Sequence, residues 1–173
     1  SINRDEKTVR VKNLTTGEEY TESYDKLILS PGANAFVPQL PGIENANIFI
    51  VKNVVDIAKL YDFVHSGNVK KVTVVGGGFI GVETAENLVE AGYAVTLVEA
   101  MPQILRIFDY DMVQILHKEM MEKGVNLILN DQVVSCEDSN LKLASGAVVE
   151  GDAVVMAIGV RADSKLAKEA GLE

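Results

Sequence analysis

The stretch VVGGGFIGVETAENL, Val74–Leu88, places four glycines within its first eight residues, directly ahead of a helical pattern. Upstream, KKVTVVG (70–76) reads as an apolar strand, and downstream Phe79 to Ala91 keeps helical spacing. Flexible residues at such a junction have a use where the backbone turns tightly and something else must come close to it.

Gly76, Gly78 and Gly81 fit G-x-G-x-x-G, after a strand and at the opening of a helix, the context that raises this pattern above chance. The first glycine permits the tight turn, the second lets a pyrophosphate approach the backbone, and the third lets the helix pack close to the strand. N–H groups at the helix start carry partial positive charge and hold phosphates without a basic side chain. The bland alternative is a glycine-rich turn that only lets strand and helix pack. Glu99 adds a second signal. It ends the next strand 18 residues after Gly81, where an acid accepts hydrogen bonds from an adenosine ribose. Alone it reads as a solvated strand-end carboxylate; jointly, glycines, context and acid point to a dinucleotide. The acid also predicts a preference for NADH over NADPH, because a 2′-phosphate there brings like charges together, at a cost on the order of 10- to 100-fold in affinity. Arg106, seven positions on, opposes this if AMPQILR (100–106) folds back, which the sequence leaves open.

Working outward, AVTLVEA (94–100), Tyr110–Lys123 and VNLIL (125–129) continue the alternation of strand and helix, which predicts a parallel sheet with right-handed crossovers. QVVSCED (132–138), LKLAS (141–145) and AVVEG (147–151) predict an antiparallel meander, and DAVVMAIG (152–159) a further buried strand. Before the glycines, TVRVKNLTTGEEYTESYDKLILSPGA (8–33) predicts a hairpin about Thr16-Gly17 and then a buried strand over Lys26–Ser30. Three of the four prolines fall between Pro31 and Pro41, an irregular connector, with a domain boundary expected near residues 42–50. NVVDIAKLYDFVHSG (53–67) has helical spacing and stops at Gly67. The fold class is α/β: a Rossmann-like doubly wound parallel sheet with an antiparallel β-meander.

The 173 residues are 47% hydrophobic, enough for a sizeable core, with a formal net charge of -9. Without a Lys/Arg cluster, no concentrated basic face is available for nucleic acid or an anionic membrane. No apolar run reaches the roughly 18 residues of a membrane span, and Ser1–Arg10 is too polar for a signal peptide. The single cysteine, Cys136, fits a reducing cytoplasm and reads as a core or loop residue, with no histidine placed to activate it. His65 and His117 fall in helical stretches without a partner at metal spacing, and Asp109 reads as a helix N-cap.

With these residues in hand, the chain resembles the two-dinucleotide-binding FAD-dependent pyridine nucleotide-disulfide oxidoreductases. YDKLILSPGA (24–33) is similar to the segment that leaves the FAD domain and touches the flavin. GGGFIGVETAENL (76–88) is similar to the family's NAD(P)H fingerprint, and AIGVRADSKLAKEAGLE (157–173) to the stretch leading back to the FAD domain. GVRAD resembles the branch of NADH oxidases, NADH peroxidases and coenzyme A-disulfide reductases, although Ser30 and Ala162 depart from that family's usual residues. The family's own FAD fingerprint, redox cysteine and dimerisation domain have no counterpart here. The resemblance therefore implies an excised NADH-binding domain: residues 1–47 a remnant of the FAD domain with its connector, 48–162 the NAD(H)-binding domain, and 163–173 the return segment. Its implied partners are NADH, the rest of the FAD domain and the dimerisation domain of a homodimeric parent.

The same resemblance assigns Gly76, Gly78, Phe79, Ile80, Gly81, Glu83, Glu99, Ile158 and Gly159 to the NADH side, and Ser30 and Gly32 to the FAD side, with no catalytic residue in this stretch. Phe79 takes the place of the residue that caps the flavin until NADH displaces it; otherwise it packs on the sheet. Glu83 matches the acid beside the nicotinamide that pairs with a lysine of the FAD domain; otherwise it is a first-turn acid favoured by the helix dipole. Gly159 and Ile158 match the backbone near the nicotinamide, with a plain strand-end turn as the alternative for Gly159. At the level of function, an NADH-to-FAD oxidoreductase stands against a non-catalytic dinucleotide sensor, and the flavin-contacting SPGA segment favours the former.

Overall fold

The computed structural model describes residues 1–172; Glu173, the last residue of the expected return segment, lies outside them. Two compact units emerge, one of Ser1–Asn34 with the segment from Arg161, the other of Ala35–Val160.

In the first unit, β1 (Ile2–Asn3), β2 (Thr8–Lys12) and β3 (Glu19–Ser23) form an antiparallel sheet. Its hairpin turns where the sequence predicts: the Asn13 side chain accepts the Thr15 and Thr16 N–H groups, and Gly17 sits at φ 77°. The expected strand over Lys26–Ser30 does not form. An apolar run becomes a buried strand only where neighbouring strands take its backbone groups and cover its faces, and here Ile28 is 88% exposed. The chain then passes through β4 (Ala33–Ala35).

The second unit contains a 3-10 turn (Ile43–Asn45), β5 (Ile48–Ile50), α1 (Val54–Val64), β6 (Lys71–Val75), α2 (Phe79–Glu90), β7 (Ala94–Glu99), α3 (Tyr110–Glu122), β8 (Asn126–Leu129), β9 (Val133–Glu137), β10 (Asn140–Leu143), β11 (Val148–Val149) and β12 (Ala153–Met156). After it, β13 (Val160–Ala162) pairs with β4, and α4 (Lys165–Glu169) follows. An Asn53–Asp56 capping box starts α1 where the sequence places a helix.

The central sheet is parallel, in the order β5-β12-β6-β7-β8. From β5 to β6, β7 and β8 every crossover steps the same way across it, so one handedness puts α1, α2 and α3 on one face. Their side chains Leu60, Val64, Ala85, Leu88, Val113 and Met120 pack there with Val72, Val74, Leu97 and Val155. The path from β8 back to β12 runs in the opposite sense and covers the other face, through the meander β9-β10-β11 rather than through helices. There Val133, Leu141, Leu143 and Val149 meet Val75, Val98, Val154 and Met156. Each fully buried valine or leucine contributes about 1.5–3 kcal/mol. The two winding directions meet at the adjacent strands β6 and β12, and the carboxyl ends of strands at such a point are where α/β sheets bind ligands.

Candidate functional site

A cleft of about 520 Å³ opens beside the carboxyl ends of β6, β7 and β12, lined by the Val75–Gly78, Val98–Ala100 and Met156–Gly159 segments, with Phe36, Pro38, Leu40 and Asp131–Val133 completing the wall. No Lys or Arg lines it among the described residues, so an anion there must be held by backbone.

The four glycines have four different reasons. Gly76 lies at φ 108°, and a Cβ on it would meet the Ala157 carbonyl oxygen at 2.5 Å. On Gly81 a Cβ would stand 1.9 Å from the Gly76 oxygen, so this glycine seats α2 against the strand end. Gly77 is closed on both sides: a Cβ would meet Ile104 Cγ2 at 2.6 Å and Glu99 Oε2 at 3.1 Å. Gly78 is unlike the others. Its φ of -77° and ψ of -177° suit any residue, and nothing lies within 4 Å of the Cβ position. As the N-cap of α2 it offers no side-chain oxygen, so no side chain caps the first-turn N–H groups, which have no intrahelical partner.

Glu99 lines the cleft, as the sequence places it, and is also anchored by two backbone groups: Oε2 accepts the Gly77 N–H at 2.6 Å and Oε1 accepts the Met101 N–H at 2.8 Å. Each carboxylate oxygen keeps a lone pair for a further donor. The loop after it folds back. The Leu105 N–H donates to the Gly77 carbonyl at 2.7 Å with Leu105 at φ 44°, and Ile104 is fully buried over Gly77. The Ile104 N–H is accepted by Nε2 of buried His117 at 3.3 Å, which leaves that ring neutral with its proton on Nδ1. Burial pushes the His117 pKa below its usual value.

Ile158 and Gly159 line the cleft, with Gly159 at φ 106°. Ile80 is 43% exposed in the first turn of α2. Phe79 does not pack on the sheet: it is 56% exposed and meets Phe108 edge to face, with ring centroids 6.1 Å apart. Glu83 is exposed on α2, and neither it nor Phe79 lines the cleft. Ser30 and Gly32 belong to the other unit; Ser30 is exposed, and Gly32, at φ 80°, accepts the Asp163 N–H at 3.0 Å. Asp109 holds the N-cap position of α3 without a side-chain capping bond, so the cap is backbone only. Cys136 is buried in the meander, its thiol pKa raised by burial and then by Glu44. His65 stacks on Tyr61 at the end of α1. Among the described residues no cluster of His, Cys, Asp or Glu is placed for a metal, and no helix is long and apolar enough to cross a membrane.

Gly77 lies inside the glycine run but carries no local signal of its own, because its constraint comes from Ile104, far along the chain. Nor does any motif single out Asp131, which lines the cleft and whose Oδ1 accepts the Gln132 and Ser145 N–H groups at 2.9 and 3.1 Å. Hydrogen bonding by the Ser145 side chain, ahead of those backbone groups, holds this carboxyl below the usual range.

The pyridine nucleotide-disulphide oxidoreductase family profile matches residues 1–173. The chain belongs to this family. An NADH oxidase of Enterococcus faecalis (strain ATCC 700802 / V583) is 38% identical over 97% of the chain, which spans 39% of that relative's length. Among solved structures, reduced Bacillus anthracis CoADR-RHD superposes with a TM-score of 0.95 at 45% identity, over 99% of this chain and 31% of that one. The water-forming NADH oxidase of Lactobacillus brevis, bound to NADH, gives 0.89 at 34% identity, over 98% of this chain and 38% of that one. An engineered variant of that oxidase, bound to NADPH, gives 0.89 at 32%, again over 98% and 38%. Its named substitutions fall at a glycine, at an aspartate 18 positions on, at the Ala-Met pair after the aspartate, and at a proline seven positions past it, the last changed to arginine.

Proposed function

We propose that this chain is the NADH-binding domain of a flavin-dependent oxidoreductase, with a piece of the FAD domain at its front. The observation that carries the reading is Gly78. Neither its backbone angles nor any neighbour requires a glycine, yet it lines the cleft as the N-cap residue of a helix. What a side chain there would exclude is a ligand, and the chemistry of that spot suits a phosphate. The comparison with the Lactobacillus oxidase adds support. Counted from Gly81, the positions substituted in its variant correspond to Glu99, Ala100, Met101 and Arg106; the acid-Ala-Met run is of the type carried by the NADH enzyme.

In this reading the backbone of Gly76, Gly78, Ile80 and Gly81 receives the pyrophosphate, Glu99 accepts from the ribose, and Ile158 and Gly159 border the nicotinamide. Phe79 covers the flavin until NADH displaces it. Glu83 pairs with a lysine of the FAD domain, and Ser30 and Gly32 touch the flavin. When bound, the nicotinamide supplies a hydride, and FAD takes it on to a disulfide, oxygen or peroxide acceptor. The chain's share is placement, and the parent works as a cytoplasmic homodimer.

Calorimetric titration of NADH into this chain tests the binding role, and stopped-flow oxidation of NADH by the FAD-loaded parent tests the redox role. Saturable one-site binding and flavin reduction by NADH are expected. A folded chain that ignores NADH defeats the reading, while a parent that binds NADH without reducing its flavin leaves only a dinucleotide sensor.

A further inference from the structure

Resting on the reading that the cleft holds a dinucleotide, we propose that His117 is a positioning residue for that ligand: its unprotonated Nε2 holds the loop that clamps Gly77, so protonating the ring loosens the ligand. His117 does not itself line the cleft and reaches it through the backbone. The Ile104 N–H donates to Nε2 at 3.3 Å, Ile104 is fully buried over Gly77, and the Leu105 N–H donates to the Gly77 carbonyl at 2.7 Å. From the other side the Gly77 N–H donates to Glu99 Oε2 at 2.6 Å. Gly76, Gly77 and Gly78 all line the cleft. Three consecutive glycines carry more conformational freedom than any other run of three, so their order comes from outside. Whatever fixes Gly77 also fixes where the first N–H groups of α2 point. Leu105 sits at φ 44°, a strained angle for a leucine that persists only while its surroundings hold it.

A neutral imidazole with its proton on Nδ1 offers a lone pair at Nε2, whereas the imidazolium carries N–H at both nitrogens and accepts nothing. On protonation the Ile104 N–H therefore loses its acceptor and faces a second donor, in a place water does not reach. Histidine is the side chain for which this exchange lies near neutral pH. The charged groups around it are engaged or turned outward. Glu99 is taken up by two N–H groups, Lys118 pairs with Glu122, and Lys123 pairs with Glu119 and with Glu86 of α2. Arg106 and Asp109 in the loop, Asp111 on α3 and Glu83 and Glu90 on α2 are exposed, and β8 carries no charge. Burial alone lowers the ring's pKa. The bound form needs the clamp and hence the neutral ring, so binding lowers that pKa further, and affinity falls as pH falls through the pKa of the unliganded chain.

The test titrates ADP-ribose, which keeps the adenosine and pyrophosphate and survives acid, into wild type, His117→Gln and His117→Leu from pH 8 to pH 5. Circular dichroism at each pH confirms that the chain is folded. His117→Gln offers an amide oxygen to the Ile104 N–H and cannot titrate, so it should match wild type at pH 8. On acidification wild type should weaken relative to His117→Gln by about fivefold, the ratio isolating the ring because the cleft acids Glu99 and Asp131 are common to both. His117→Leu should bind about fivefold more weakly than wild type already at pH 8, a loss that the glutamine rescues. In NMR titrations, saturating ADP-ribose should lower the pKa of the His117 ring. Parallel pH profiles for wild type and His117→Gln, an unmoved ring pKa, or full affinity in His117→Leu at pH 8 would each overturn the proposal. A folded wild type that ignores ADP-ribose at pH 8 removes the cleft reading, and the proposal with it.

Discussion

The Glu99 carboxylate accepts the Gly77 N–H at 2.6 Å, so the acid expected to read the ribose also holds the glycine turn in shape. Its other oxygen holds the Met101 N–H at 2.8 Å. A glutamine has one acceptor oxygen, so Glu99→Gln leaves one of two part-buried N–H groups unmet, a loss of about 1–2 kcal/mol. We expect the melting temperature to drop by several degrees and the preference for NADH to shrink, chiefly through a gain in NADPH affinity. Thermal melts paired with titrations of both dinucleotides check this. An unchanged ratio would show that Glu99 serves the turn alone.

Gly78→Val and Gly76→Ala separate binding from folding. The Cβ of a valine at 78 meets no protein atom within 4 Å and the residue needs no unusual angle, so stability should move by less than about 1 kcal/mol while NADH binding disappears. Alanine at 76 must take φ 108° with its Cβ against the Ala157 backbone, at a cost of about 1–3 kcal/mol or more. Denaturant melts and NADH titrations of both variants should give opposite pairs of results. Intact NADH binding in folded Gly78→Val would reduce the glycines to packing devices.

His117 gives the stability a pH dependence. Burial lowers its folded pKa below the usual 6.5, so the unfolded chain binds the proton more readily. The contribution is therefore present above about pH 6.5 and is lost as pH falls toward and through the folded pKa, where the protonated ring no longer accepts the Ile104 N–H. His117→Gln keeps an acceptor and cannot titrate. Melting temperatures from pH 8 to pH 5 should fall more steeply for wild type than for His117→Gln, and parallel profiles would count against the bond.

The chain by itself should purify colourless and leave NADH unconsumed, because neither a flavin fingerprint nor a redox cysteine accompanies the NADH motif in these residues. Absorbance between 350 and 500 nm, on the order of one flavin per chain, would contradict this, as would steady NADH loss in air with added FAD.

Much of the architecture around the cleft is legible because it is written in local periods. The strand before the glycines, the helix after them and the acid at the end of β7 all follow from spacing within a few turns. β5 was not legible: Ile48–Ile50 is three residues long and is a strand only because β12 lies beside it. Lys26–Ser30 failed in the reverse direction, its apolar pattern carrying no information about whether neighbouring strands are present to use it. Phe79 is ambiguous in the sequence, because a first-turn aromatic fits either face of the helix until its surroundings, here Phe108, are known. Gly77 and Arg106 depend on a loop returning across the sheet end, a contact that no local pattern records.

The strands β4 and β13, paired where the chain enters and leaves Ala35–Val160, bring the two ends of that unit together, with the Phe36 N–H on the Gly159 carbonyl at 2.9 Å. To the flanking chain, the whole unit is equivalent to a tight turn. Its length adds little to the entropy of closing the surrounding fold, since that penalty depends on where the ends meet rather than on what lies between them once it is folded. A unit joined in this way can be lifted out at residues 35 and 160, bridged by a short linker or exchanged for a relative's, without re-routing its neighbour.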